Sequence, residues 1–139
     1  MTVKHFVDTN ILVYAASQNP INRQKTIRAR ELIAATEFGL SAQVLAEFYV
    51  IVTQKEKPPL ASSDAFVWIE QFRELPCIVL DPTLVMRGIE FSVRHRISYW
   101  DGAILAAAEA LGATTLYSED LSHRQQYGTV QVINPFLPA

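Results

Sequence analysis

Short apolar runs alternate with longer stretches in which apolar residues recur every three or four positions, along the whole 139-residue chain. A compact apolar run bounded by polar or turn residues reads as a buried strand, and three-to-four spacing reads as one face of a helix. The pattern predicts strands at Val3–Val7, Gly39–Ser41 (a minimal one), Cys77–Leu80, Thr114–Tyr117 and Val130–Ile133. It predicts helices at Asn10–Ser17, Arg23–Thr36, Ala42–Gln54, Ser63–Leu75, Pro82–His95 and Tyr99–Leu111. The sharpest break is Lys55-Glu56-Lys57-Pro58-Pro59, where proline ends one helix and Ser62 or Ser63 is available to cap the next. No repeat, low-complexity segment or linker divides the chain. Regular alternation of strand and helix predicts an α/β fold: a three-layer α/β/α sandwich around a mostly parallel sheet of about five short strands, with residues 1–139 as a single domain.

That topology gives some charged residues a shared address. In a parallel α/β sheet every crossover helix starts at the edge where strands end, and ligands bind at that edge. Asp8 ends the first strand, and Asp120 follows the strand that finishes at Tyr117. Asp101 falls in the first turn of the helix that feeds that strand. Glu47 lies one to two turns into the helix after the minimal strand. All four acids are expected on one rim.

Each acid also has a plainer reading. Asp8 or Thr9 could cap the first helix. Asp101 follows Ser98 by three residues, as in a capping box, yet it shares a helical face with Ile104, Leu105 and Ala108, where a carboxylate is costly unless neutralised. Glu47 sits about 100° from the centre of the Val44, Leu45, Phe48, Ile51, Val52 stripe, at the border of the buried face. Asp120 could serve a turn. The conjunction weighs more than any member: carboxylates brought together repel, and a divalent cation removes the conflict. Oxygen donors of this kind suit Mg²⁺ or Mn²⁺, one ion or two, whereas His5, His95 and His123 are scattered without zinc-ligand spacing.

Composition narrows the rest. Half the residues are hydrophobic and 19% are charged, as in an ordinary globular protein. No apolar run is long enough to span a bilayer, and the N-terminal residues lack a signal-peptide pattern, so a cytoplasmic protein is expected. The lone Cys77 lies in an apolar run and reads as a small core residue. Formal net charge is −2, which excludes a generic polyanion binder; with the four acids neutralised by cations, the remainder carries +2. Candidate basic patches are Arg23, Lys25, Arg28 and Arg30 on one helix, Lys55 and Lys57, and Arg94 and Arg96, each equally readable as a solvated face. Glu90 and Arg94 are spaced for an ion pair. Asp81-Pro82 reads as a cap followed by proline at the first helical position, not as catalytic. Tyr99 and Trp100 adjoin Asp101; core packing is the simpler role for them, stacking on an unpaired base the alternative.

Four segments, Val7-Asp8-Thr9-Asn10, Ala46-Glu47-Phe48, Trp100-Asp101-Gly102-Ala103-Ile104 and Tyr117-Ser118-Glu119-Asp120, resemble in order and spacing the PIN-domain family, and within it the VapC-type toxins of bacterial and archaeal toxin–antitoxin pairs. The resemblance covers nearly the whole chain. It implies a Mg²⁺- or Mn²⁺-dependent endoribonuclease in which Asp8, Glu47, Asp101 and Asp120 hold the metal. Water attacks the phosphodiester in such enzymes, leaving a 5′-phosphate and a 3′-hydroxyl. Thr9 matches the hydroxyl residue that orients the first acid. Asn10 and Ser118 match accompanying positions; Glu119 could substitute for or assist Asp120, but Asp120 is the preferred ligand and Glu119 is read as solvated or a supporting group. The implied partners are single-stranded or structured RNA, a cognate antitoxin protein and a second copy of the chain as a homodimer. The helices at Ile11–Ala16 and Val44–Val52 are apolar nearly all round, which suits a second buried surface or a larger core.

The alternatives fit less well. A stand-alone or catalytically inactive PIN-like nucleic-acid-binding module would keep the fold without turnover. A phosphoacceptor signalling domain needs a lysine near its last strand, and no lysine follows Lys57. A dinucleotide binder needs a glycine-rich phosphate loop, and the five glycines are isolated. A haloacid-dehalogenase-type phosphatase needs Asp-x-Asp at the first strand, where the third position here is Asn10.

Overall fold

In a computed structural model that describes residues 2–138, the chain folds as a central sheet flanked by helices. The strands are β1 (His5–Val7), β2 (Phe38–Ser41), β3 (Cys77–Ile78), β4 (Thr115–Tyr117), β5 (Gln126–Tyr127) and β6 (Val130–Ile133). The helices are α1 (Thr9–Ala16), α2 (Arg23–Ala35), α3 (Ala42–Val50), α4 (Ser62–Phe72), α5 (Pro82–His95) and α6 (Tyr99–Ala110). The strand order is β3-β2-β1-β4-β6-β5. All neighbours pair in parallel except β5, which runs antiparallel to β6.

The sheet therefore has six strands, not five. The extra one is the two-residue β5, folded back on β6 through Gly128 at φ +60. Two apolar-polar residues in a Gln-rich stretch carry no periodic signal, so pairing with β6 alone defines this strand. Other strands are shorter than their apolar runs. Val3 and Lys4 precede β1, and Val79 and Leu80 leave the sheet after β3, both exposed. Cys77 lies on that edge strand and is half-buried rather than enclosed in the core, with its thiol pKa pushed up by burial.

The core is built where strand apolar residues meet helix stripes. Phe6, Val7, Leu40, Leu116, Val130 and Val132 from the sheet are fully buried with Ile11 and Leu12 of α1, Val44 and Phe48 of α3, and Leu105 of α6. The apolar face of α1 is thus internal. On α3, Val50 is exposed, and Tyr49 is half-buried with its hydroxyl against that of Ser62.

α5 and α6 pack backbone to backbone. A Cβ on Gly102 would stand 2.4 Å from the Gly88 carbonyl oxygen and 2.9 Å from the Ser92 nitrogen. This contact seats the first turn of α6, and hence Asp101, against α5. Gly102→Ala is therefore expected to lose roughly 1–3 kcal/mol by forcing the helices apart, measured as a lower urea midpoint; an unchanged midpoint would show that the interface yields freely. On the outer side of α5, Arg87 bonds Glu90 at 2.8 Å and Glu109 at 2.8 Å. Glu90 thus pairs one turn back with Arg87, not forward with Arg94, because Arg87 also reaches Glu109 across the helix pair.

Candidate active site

The carboxyl edge of the sheet carries the acids. The Asp8 N–H donates to the Tyr117 carbonyl at 3.0 Å, continuing the β1–β4 ladder by one residue. Its side chain then caps α1, Oδ1 accepting the Thr9 N–H at 2.7 Å. Cap and rim position coexist in the same residue. Oδ2 accepts from the Ser118 hydroxyl at 2.8 Å, and Ser118 Oγ in turn accepts the Asp120 N–H at 3.1 Å. Ser118 is fully buried. It ties the first acid to the backbone of the last.

The remaining acids are fixed by their helices. Ser41, the last residue of β2, caps α3 through the Val44 N–H, and Glu47 follows with Oε1 accepting from Gln43 Nε2 at 2.8 Å. Ser98 caps α6 through the Asp101 N–H at 3.1 Å. Asp81 likewise caps α5 through the Leu84 N–H, with Pro82 next.

Asp8, Thr9, Asn10, Glu47, Asp101 and Asp120 all line one pocket of about 330 Å³. Burial raises the Asp8 pKa to about 7, against the lowering effect of the Ser118 and Thr9 hydrogen bonds; the Asp120 and Glu47 carboxylates add to the rise. Burial also raises Asp101, again with Asp120 contributing. The pocket is thus short of positive charge.

Glu119 does not line the pocket. It accepts from the Tyr14 hydroxyl and from Lys25 Nζ, the latter at 2.7 Å, so it anchors the loop bearing Asp120 to α1 and α2. Lys25 is committed to that contact, Arg28 donates to the Pro135 carbonyl and Arg30 to the Ala15 carbonyl. Three of the four cations of the α2 patch are thereby engaged within the chain.

Trp100 is 60% exposed, which overturns core packing for it. It lines the acid pocket and also an adjoining cleft of about 380 Å³ with Val50, Ile51, Leu80 and Lys55. The pocket has further walls that the sequence pattern does not point to: Tyr14, Asn22 and Glu56. Glu56 stands in the proline-containing break, and only its position beyond the end of α3 brings it here.

No three Asp, Glu, His or Cys side chains among the described residues form a ready-made ligand set. The donor chemistry nevertheless fits a hard divalent ion: four carboxylates, and a Thr9 hydroxyl that is 4% exposed, with its oxygen lacking any hydrogen-bond partner.

The acidic pocket thus lies at the carboxyl edge of a parallel sheet, the edge at which α/β domains bind ligands. The sequence profile of the PIN domain matches residues 5–128, and the chain belongs to the PIN-domain family. No curated protein sequence matches it. Among solved structures it is similar to Mycobacterium tuberculosis VapC20, a sarcin–ricin-loop-cleaving toxin, at 20% identity and TM-score 0.68 over 84% of this chain and 90% of that one. It is similar to a toxin–antitoxin complex from Klebsiella pneumoniae at 16% identity and TM-score 0.68, covering 96% and 98%. VapBC2 from Rickettsia felis, bound to a DNA fragment from its promoter, matches at 19% identity and TM-score 0.62, covering 92% and 96%. At these identities the likeness is one of fold. No helix among the described residues is long and apolar enough to cross a membrane.

Proposed function

We propose that this protein is a Mg²⁺- or Mn²⁺-dependent endoribonuclease, the toxin of a toxin–antitoxin pair. The observation that carries this reading is the convergence of Asp8, Glu47, Asp101 and Asp120 with Thr9 on one pocket in a PIN-domain chain. Asp8, Glu47, Asp101 and Asp120 would hold one or two ions. A bound ion supplies a nucleophilic water at neutral pH and offsets the charge of the phosphate. The chain's own residues set the geometry: Thr9 N–H and Ser118 aim both oxygens of Asp8, Ser118 also fixes the Asp120 backbone, and the Ser98 cap holds Asp101 at the helix start. No serine or cysteine nucleophile is required. The direct test is cleavage of single-stranded RNA in Mn²⁺ and in EDTA; cutting that persists undiminished in EDTA overturns the reading.

Trp100 supports an RNA substrate with an unpaired base beside the scissile phosphate. Its exposed ring stands at the pocket mouth, and Lys55 lines the adjoining cleft. Stacking on an aromatic ring contributes about 1–3 kcal/mol per base. Trp100→Ala is thus expected to weaken binding of a single-stranded oligonucleotide by Asp8→Asn protein about 5- to 150-fold, with Trp100→Phe largely restoring it. Equal affinity for all three proteins in a fluorescence-anisotropy titration would exclude stacking.

A cognate antitoxin is the partner this reading requires, and self-association as a homodimer accompanies it. Met86, Ile89 and Val93 form an exposed apolar row on α5 that offers a protein partner a surface. A second reading, a PIN-like RNA-binding module without turnover, is favoured by the lack of a ready-made ligand set among the described residues. It predicts RNA retention with no Mn²⁺-dependent product.

A further inference from the structure

α3 does not run on as a regular helix. From Ile51 to Lys55 the chain forms a π-helical turn, closed by the Glu56 N–H donating to the Ile51 carbonyl at 2.9 Å. The difference in register decides where Glu56 points. Along an α-helix, at about 100° per residue, Glu56 would lie about 180° round from Glu47 and face away from the pocket. A turn closed over five residues instead returns Glu56 to the side of Ile51, which itself lies one turn beyond Glu47. Glu47, Ile51 and Glu56 accordingly line the same pocket.

The Glu56 carboxylate arrives there without a protein partner. Its Oε1 is buried and accepts no hydrogen bond, and no ion pair among the described residues involves it, although Lys55 and Lys57 flank it in sequence. It shares this state with its neighbours. Of the five buried side-chain polar atoms without a partner among the described residues, four lie on residues lining this pocket: Thr9 Oγ1, both amide atoms of Asn10, and Glu56 Oε1. Thr9 is 4% exposed and faces the same space. Buried polar atoms are ordinarily satisfied, and a carboxylate oxygen left bare is costly unless a cation, a proton or ordered water meets it. Three different residue types orphaned around one pocket point to a polar occupant of it. A hydrated divalent cation would serve the oxygens among them, its waters donating to Glu56 Oε1, Asn10 Oδ1 and Thr9 Oγ1 while its charge offsets the carboxylates.

We infer that Glu56 is a fifth acidic member of the site, delivered by the π turn, and that it takes part in binding the divalent cation. This rests on the cation reading above but not on RNA turnover. Its scope is binding, so it can be tested without substrate.

The experiment is a Mn²⁺ titration of the full chain, followed by thermal unfolding and by calorimetry, comparing wild type, Glu56→Gln and the exposed-surface control Glu70→Gln. Glu56→Gln is expected to raise the Mn²⁺ midpoint about 10- to 100-fold, the usual effect of losing a supporting group at a metal site. Glu70→Gln is expected to stay within about twofold of wild type, since Glu70 is exposed and does not line the pocket, and solvent and salt screen its charge. A Glu56→Gln midpoint within that same range overturns the proposal. If Glu56→Gln does not fold in EDTA, Glu56→Asp keeps the charge and retracts it by one methylene. Several-fold weaker Mn²⁺ binding then supports the proposal, and unchanged binding overturns it. A wild type with no Mn²⁺ response overturns the cation reading itself, which a Glu56-specific failure would leave standing.

Discussion

Freed of divalent ions at pH 7.5, Asp8→Asn protein is expected to melt several degrees above the wild type. Asp8 is 5% exposed, and burial lifts its pKa from an ordinary 3.8 to about 7. In the unfolded chain the group ionises near its ordinary value. Between about pH 4 and pH 7 the folded state therefore holds a proton that the unfolded state has released, and stability falls as pH rises through that window. The ceiling set by a shift of this size is on the order of 4 kcal/mol. Asparagine keeps both partners with one direction reversed: its oxygen accepts the Thr9 N–H, and its amide N–H donates to Ser118 Oγ, whose own proton loses the acceptor it had in Asp8, a cost smaller than that ceiling. It carries no charge to desolvate. Each kcal/mol moves the melting temperature of a domain this size by roughly 2–8 °C. The wild type should lose stability from pH 4 to 7 while the variant stays nearly flat. A variant that melts lower than wild type at every pH would mean that Asp8 is stabilising as a charge.

Saturating Mn²⁺ should reverse the order. A ligand present at about 1,000 times its dissociation constant adds about 4.1 kcal/mol to the folded state, enough to offset that ceiling, and only the wild type has the full carboxylate set to receive it. The crossing of the two curves, variant higher in EDTA and wild type higher in Mn²⁺, separates a metal-binding acid from a structural cap. A cap alone predicts no metal dependence for either protein.

Cleavage gives the other large effect. Asp101→Asn is expected to lower the rate of Mn²⁺-dependent RNA hydrolysis by about 10²–10³-fold, the scale seen when one preorganised electrostatic group is removed from a reaction centre. The fold should survive, because the Ser98 cap bonds the Asp101 backbone N–H and not its side chain. Burial raises the Asp101 pKa, and a nearby cation would oppose that rise by favouring the carboxylate. Retained cutting by a folded Asp101→Asn protein would remove Asp101 from the chemistry. Loss of RNA binding along with the rate would move its role from catalysis to substrate attachment.

The order of strands and helices, and the placement of Asp8, Glu47, Asp101 and Asp120 near strand ends and helix starts, were determined by the sequence alone. Both depend on local periodicity and on caps that span three residues, such as Ser98 with Asp101 and Ser41 with Val44. That the four acids line one pocket follows from the parallel topology, which the alternation of elements already implies.

Tertiary structure decided the rest, because the deciding interactions join residues far apart in the chain. β5 exists only through its pairing with β6. Glu119 reads as a member of the acidic motif until Lys25 and Tyr14, some hundred positions away, take up its oxygens. Trp100 and Tyr99 are equivalent aromatics in sequence; the packing of α6 on α5 leaves Trp100 exposed while Tyr99 lies against Gly88. Glu56 sits in what reads as a helix-ending break. One extra residue in the last turn of the α3 segment, a change of hydrogen-bond register with no periodic signature, turned it from the far side of the helix into the acidic pocket.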